Sequence, residues 1–513
     1  MINQINKDKN SLKLKKYFFL FLTGVFASLS LPPLSFLPIV FLITIPLFYL
    51  VNSKNLKDAF LIGYFLAFGW FLASLYWISN AILVGGEEFL WMIPFVFVGF
   101  PAFLSVFWGV AFFFISLIGK SIVERLILFS ILLPFFEWLR GNILTGFPWN
   151  MIGFSLSSPL EVAQSVAFLG PYGQNILIAL VLSIPISIYY YKNIFTLLLI
   201  FSCGLVFLTS FHTFKSNIVN FTDKNVKLVQ PNFSHHEKWD KKKFFINQEK
   251  LLELSKNKLG KNTLIIWPET AIVNFPENIK KELIYIKEEI LVKNSRFLIT
   301  GIPRKQVVNN KKYYYNSMIV LDQTGSIVGN YNKNKLVPFG EYNPFKKFLG
   351  FFKIIASDNE FSHGGPIKDK FFSFGDLNFY PLICYEVIFP FQTRKDKSYD
   401  LIVNITNDRW FGKTFGPVQH FWLAKQRAIE TGMPMVRVSN SGISSLIAPN
   451  GKEIKSLKFG TSGFLESKIP KKFNETLYLK FGEKIYYSIT LFLIFLFLGV
   501  KLKSSFILQK LRN

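Results

Sequence analysis

Three side chains in the second half of this chain are of types that could run covalent chemistry together: Glu269, Lys333 and Cys384. Glu269 ends the run Trp267-Pro268-Glu269, directly after an apolar stretch. The proline prevents a helix from continuing there and leaves the carboxylate projecting from a rigid strand end. Lys333 lies in Tyr331-Asn332-Lys333, and Cys384 follows the apolar run Tyr380-Pro381-Leu382-Ile383. A cysteine attacks as its thiolate. A neighbouring carboxylate can take the thiol proton and return it to a leaving group. An ammonium can stabilise the thiolate and the oxyanion of a tetrahedral intermediate. Together they would carry acyl transfer through a thioester. Their separations along the chain prove no contact, and a lone cysteine on an apolar strand is also an ordinary core residue.

The elements that must position these residues fall into two kinds. Of 513 residues 50% are hydrophobic, 18% are charged and 60 are Phe, with a mean hydropathy of +0.32. That composition excludes a disordered chain and argues against a wholly soluble one. Apolar runs at 17–31, 35–51, 59–78, 89–118, 122–139, 174–191, 194–211 and 485–500 predict about eight transmembrane spans. The first could instead be a cleaved signal peptide, which leaves the chain polytopic. Lys7, Lys9, Lys13, Lys15, Lys16, Lys54, Lys57, Lys120, Arg125, Lys192 and the tail Lys501, Lys503, Lys510 and Arg512 fall on alternate loops and both ends. Positive charge gathers on the cytoplasmic side, so both termini are expected in the cytoplasm, with the segment after the seventh span outside it. The expected domains are 1–215 (seven spans), 216–483 (an extracytoplasmic α/β domain) and 484–513 (the last span and tail).

Within the polar domain, strands are predicted at 226–229, 263–267, 297–301, 317–322, 379–384, 401–405 and 435–439. Helices are predicted at 238–255, 277–292 and 417–431. That alternation predicts a layered α/β domain with its chemistry at strand ends. Two cysteines, Cys203 in the seventh span and Cys384, exclude a disulfide scaffold and a four-cysteine zinc site. The net charge of +26 is shared between loops and domain without one dense cluster, so anionic headgroups are the expected partner rather than nucleic acid. A cluster of Arg140 with Trp138 and Trp149 at a span end could hold a lipid headgroup or form an interfacial aromatic belt. Residues 343–356 alternate Phe and Lys, as a membrane-dipping lid or a loop packed on its own domain.

At these residues the chain resembles the nitrilase, or carbon–nitrogen hydrolase, superfamily, and within it the membrane-bound apolipoprotein N-acyltransferases. The resemblance rests on Trp267-Pro268-Glu269-Thr270, Tyr331-Asn332-Lys333, Leu336-Val337-Pro338-Phe339-Gly340-Glu341, Ile383-Cys384-Tyr385-Glu386, Asn404-Ile405-Thr406-Asn407-Asp408-Arg409-Trp410-Phe411-Gly412 and Thr145-Gly146-Phe147-Pro148-Trp149. It implies an α-β-β-α sandwich with Cys384 as nucleophile, Glu269 as general base and Lys333 as oxyanion stabiliser. By the same resemblance Glu341 is a second essential carboxylate, Tyr385 and Glu386 flank the nucleophile, and Trp239 and Trp149 are expected to support substrate binding. The implied partners are a phospholipid acyl donor and an apolipoprotein acceptor at an inner membrane, with the catalytic domain facing the periplasm. No metal or cofactor is implied, and a monomer is expected. Arg409 and Lys335 depart from the family pattern, where a small residue and a His are expected, which leaves lipid and lipoprotein preference open. A membrane-tethered amidase or nitrilase with the same triad and water as acceptor is the competing reading. A non-enzymatic transporter or receptor would need ionisable residues along the spans, and the spans show almost none.

Overall fold

Alternation decides how the second half folds. In Thr263-Leu264-Ile265-Ile266-Trp267 every side chain is apolar or small, so a strand here must bury both faces. The computed structural model shows that arrangement. It describes residues 2–257, 263–292, 296–344, 360–365, 372–374, 376–391 and 399–510, with side chains from residue 11 to residue 503. The chain divides into two compact units: residues 1–79, 92–216 and 477–513, and residues 80–91 and 217–476.

Among its described residues the second unit holds twelve strands: β1 (Phe221–Gln230), β2 (Thr263–Ile266), β3 (Phe297–Val308), β4 (Lys311–Leu321), β5 (Ile327–Asn332), β6 (Phe372–Phe374), β7 (Leu377–Ile383), β8 (Leu401–Thr406), β9 (Met435–Ser439), β10 (Ser444–Ile447), β11 (Glu453–Leu457) and β12 (Gly463–Pro470). They form two six-stranded sheets, ordered β12-β1-β2-β3-β4-β5 and β11-β10-β9-β8-β7-β6. The centre of each is parallel, β1-β2-β3 in one and β7-β8-β9 in the other. Leu264 and Ile266 enter the core between the sheets with Ile299, Met318, Ile383, Val403, Ile405 and Val436. Ile265 and Trp267 face the opposite way, onto Leu251, Leu252, Ile286 and Ile290 of the covering helices. Each such side chain, removed from water, contributes about 1.5–3 kcal/mol. This is the expected α-β-β-α layering.

All seven predicted strands are present, and five more accompany them. β5, β6, β10, β11 and β12 are short, or polar on one face, which hides them from a search for apolar runs. β3 and β4 run on past the predicted ends as a hairpin. Its turn residues Asn309 and Asn310 both take positive φ (49° and 59°), the geometry that closes a two-residue hairpin loop.

Among the described residues, five stretches are long and apolar enough to cross a membrane: Leu56–Gly85, Phe95–Ile118, Ser165–Tyr190, Ile194–Ser216 and Lys484–Lys503. They match five of the eight predicted spans. Leu37–Asn52 is apolar but shorter. Ile2–Ala27 and Ile122–Asn142 are helices of 26 and 21 residues that carry charges, Lys13, Lys15 and Lys16 in one and Glu124, Arg125, Glu137 and Arg140 in the other. Asn55 and Ser121 cap two helix starts by accepting backbone N–H groups. A Cβ on Gly24 would meet the Leu66 carbonyl oxygen at 1.9 Å, and one on Gly69 would meet that of Phe21 at 1.9 Å. Only glycine permits this approach of two helices, the small-residue packing that membranes favour. Leu197, Phe201, Leu208, Phe492 and Phe495 are more than half exposed, apolar surface suited to lipid rather than water.

Arg140 does not reach outward. It is 2% exposed and donates to Glu137 at 2.8 Å and to the carbonyls of Phe147 and Trp149, while Trp108 donates to the other Glu137 oxygen. Its guanidinium ties the loop after its own helix and is committed to protein acceptors, so the headgroup-holding reading of this arginine is set aside.

One buried polar group braces the second sheet. Arg437 of β9 donates to Asp408 at 2.8 Å and to Asn404 of β8, and His420 lies 2.8 Å from the same Asp408. All four residues are fully buried. Burial works against the Asp408 charge, but Arg437 and His420 outweigh it and hold the carboxyl down at about 2. Arg437→Met would strand that carboxylate and cost about 3–5 kcal/mol. Thermal unfolding of the detergent-purified protein should show a fall of several degrees, and an unchanged transition would refute the bracing role.

Candidate active site

The reactive groups follow the carboxyl ends of β2, β5 and β7. Trp267 fixes the first of these ends. Its ring N–H donates to Ser255 Oγ at 2.9 Å, and its backbone N–H donates to the Ile299 carbonyl at 2.8 Å. Pro268 then accepts from the Gly301 N–H. A Cβ on Gly301 would lie 2.3 Å from the Thr270 nitrogen and 2.7 Å from Glu269 Cα, so glycine is needed where β3 passes the turn. Glu269 is left 6% exposed, pointing to Asn316, whose amide donates to its Oε1 at 2.7 Å.

Lys333 follows β5 and is 1% exposed. Its backbone N–H donates to the Asn316 carbonyl at 2.8 Å. Its ammonium sits 2.9 Å from Glu341 Oε2 and 3.6 Å from Glu269 Oε1. The Asn316 amide also donates to Glu341 at 2.9 Å, so one asparagine and one lysine join both carboxylates. Glu341 in turn accepts from the Val337 N–H at 2.8 Å, which closes the Lys333–Glu341 loop on itself. Burial would drive the lysine proton off, but the charges of Glu341 and Glu269 outweigh it and raise the Lys333 pKa. The ammonium therefore stays charged across the working pH range.

Cys384 begins a short turn, Cys384–Ile388, directly after β7, with φ of +51°. That left-handed backbone is strained for a residue with a side chain, and such strain gathers at functional sites. The thiol is buried and lies within the fields of Glu269 and Lys333. Burial pushes it up to about 12, the Glu269 charge adds to the rise, and Lys333 opposes it. The resting group is a neutral thiol that needs a base at the moment of attack, and the carboxylates whose charge reaches it are Glu269 and, more weakly, Asp408.

Glu386 does not flank the nucleophile passively. It is 5% exposed, and its Oε1 accepts from Tyr331 Oη (2.7 Å), Asn334 N (2.7 Å) and Lys335 N (3.1 Å). Its Oε2 accepts from Ile383 N at 2.8 Å. One carboxylate thus pins the Lys333 loop to the strand that carries Cys384, across the two sheets. Tyr385 is buried with its ring edge-on to Phe389, and burial raises its pKa.

The structure brings Glu269, Lys333, Glu341 and Cys384 together and sets Glu386 behind them. Trp239 closes the helix His235–Trp239 and is 42% exposed. Trp149 lies in the helical unit, 1% exposed, with its ring 4.8 Å from that of Trp77. Of the segment 343–356, only Asn343 and Pro344 are described, and 345–356 lie outside the described residues. Two members of the site were not singled out from sequence. Asn316 is one polar residue at the inner end of a tyrosine-rich strand. Lys238 is one lysine in a lysine-rich stretch, and it reaches the Glu269 carbonyl oxygen at 3.0 Å. The Ser234-x-x-Glu237 capping box is the signal that fixes the helix carrying it.

Glu386→Ala would leave four donors without their acceptor, at about 1–3 kcal/mol for each that stays dry. The expected outcome is a lower unfolding temperature together with slower alkylation of Cys384 by a neutral reagent. Wild-type values of both would show that the clamp is dispensable.

Residues 225–475 match the carbon-nitrogen hydrolase family, and residues 23–184 match the apolipoprotein N-acyltransferase N-terminal domain. The chain is 34% identical over 472 residues to the apolipoprotein N-acyltransferase of Rickettsia typhi, covering 90% of this chain and 94% of the relative. It is 34% identical over 474 residues to that of Rhizobium etli, covering 87% and 88%. Among solved structures, a carbon-nitrogen hydrolase from Helicobacter pylori is similar over 48% of this chain and 89% of its own, at 15% identity and a TM-score of 0.36. On the identity and coverage of these relatives, the chain is a membrane enzyme that belongs to the apolipoprotein N-acyltransferase family.

Proposed function

We propose that this enzyme moves an acyl chain from a membrane phospholipid, through a thioester on Cys384, to the α-amino group of the lipid-modified N-terminal cysteine of apolipoproteins. The observation that carries this reading is the buried group of Glu269, Lys333 and Cys384 in a chain related over nine-tenths of its length to apolipoprotein N-acyltransferases. Glu269 takes the thiol proton as the sulfur attacks the ester carbonyl. Lys333 stabilises the oxyanion. The acyl C–O bond breaks, the proton passes from Glu269 to the departing lysophospholipid oxygen, and the acyl group remains on sulfur. The acceptor amine then attacks the thioester, Glu269 takes a proton from it, and the C–S bond breaks. That proton restores the thiol, and an amide is released.

Both substrates are anchored in lipid, which suits an enzyme whose own chain carries helices long and apolar enough to cross a membrane. The alternating Lys and Arg loops support cytoplasmic termini and a catalytic domain facing the periplasm of an inner membrane. A monomer is in keeping with the whole triad coming from one chain. Glu341 serves to hold Lys333, Glu386 and Tyr385 shape the nucleophile turn, and Trp239 is exposed enough to meet substrate.

Vesicles containing a phospholipid labelled in its acyl chain and a diacylglyceryl-cysteine peptide test the transfer. The label should appear on the peptide as a hydroxylamine-resistant amide. Glu269→Gln should slow the reaction by about 10²–10⁴-fold, the range of a lost general base. Release of free fatty acid with an unlabelled peptide would instead mark a hydrolase.

A further inference from the structure

The site contains a second lysine that the triad does not account for. Lys238 is 4% exposed, and the hydrogen bond described for its ammonium goes to a neutral acceptor, the main-chain carbonyl of Glu269 at 3.0 Å. Two features hold it there. Ser234 and Glu237 close a capping box on the helix His235–Trp239, and Asn247 donates to the Glu237 carbonyl at 2.8 Å. Lys333, by contrast, is in contact with two carboxylates. A buried ammonium bound only to a carbonyl lowers stability unless charge nearby compensates it. The charged groups that face Lys238 are Glu269 and Cys384 from the strand ends, with His235 on its own helix. Burial brings its pKa down to about 8, with Glu269 and Cys384 acting against the fall, so at neutral pH it is mostly charged.

We propose that Lys238 is a positioning residue for the acylation step: it fixes the Glu269 backbone through the carbonyl and supplies a second positive charge that favours the Cys384 thiolate as the proton leaves. This rests on the thioester reading above. Lys333 is in contact with both Glu341 and Glu269, so its charge is shared with two carboxylates before any new anion forms on sulfur. Lys238 has no carboxylate contact described, and its field is available when that anion forms. It gives up fold stability for rate, as buried charges at active sites do.

The test uses full-length protein carrying Lys238→Met, which keeps the length of the side chain and removes the charge. Two readouts are taken: single-turnover acylation from phospholipid, and the pH profile of Cys384 alkylation by iodoacetamide, which needs no lipid. The expected result is an unfolding temperature at or above wild type, a KM for phospholipid within twofold, acylation at least tenfold slower, and alkylation shifted to higher pH. Lys238→Arg, which keeps the charge, should recover part of the rate. An unchanged alkylation profile and acylation rate in Lys238→Met would overturn the proposal. So would an equal loss in both variants that tracks a fall in unfolding temperature. Wild-type protein that alkylates at Cys384 but accepts no acyl group would fail the thioester reading instead, while the alkylation shift would still report on Lys238.

Discussion

The placement of Lys333 between two carboxylates is the constraint on which the catalytic unit depends. Taking one ammonium and two carboxylates out of water costs far more than any single contact returns. The group persists because both carboxylates and the ammonium have close partners. Asn316 donates to both acids, Val337 N donates to Glu341, and the Lys333 backbone is tied to Asn316. Those partners lie on β4, β5 and the loop that follows, so the first sheet must form in register before the charges can be satisfied. The second sheet contributes the thiol, and Glu386 links the two by accepting from Ile383 on one side and from Asn334 and Lys335 on the other. The site is therefore a consequence of the sandwich being assembled.

The resting thiol is neutral in this environment, and that sets the division of labour. A thiolate standing permanently in a buried site would need its own compensating cation, whereas a thiol that is deprotonated only during attack needs a base and a cation in reserve. In the proposed reaction Glu269 is that base and Lys333 that cation, with the strained Cys384 backbone directing the sulfur. The braced Asp408–Arg437–His420 group ties β8 to β9, and the Asp408 charge reaches the Cys384 thiol.

The strand-end positions of Glu269 and Cys384 and the seven central strands were legible in the sequence because apolar runs end abruptly in a single reactive residue. Leu264-Ile265-Ile266 before Glu269 and Leu382-Ile383 before Cys384 are the clearest cases. The edge strands were hidden by short length and mixed polarity, as in Glu453–Leu457. Asn316 and Lys238 were hidden for a different reason. Burial of a polar residue depends on what folds over it, and a run such as Lys238-Trp239-Asp240-Lys241-Lys242-Lys243 does not show which lysine turns inward. Arg140 makes the same point in the helical unit. Its position at a span end suggests a headgroup, while Glu137 three residues before it, on the same helix face, claims the charge.

The most direct measurement is the mass of Cys384 after the purified full-length protein is incubated with phospholipid and no acceptor. The account predicts an acyl-sized increment on the peptide bearing Cys384, removable by hydroxylamine and absent from Cys384→Ala, with one lysophospholipid released per modified site. An unmodified Cys384 across several phospholipids, with no lysophospholipid released, would contradict it.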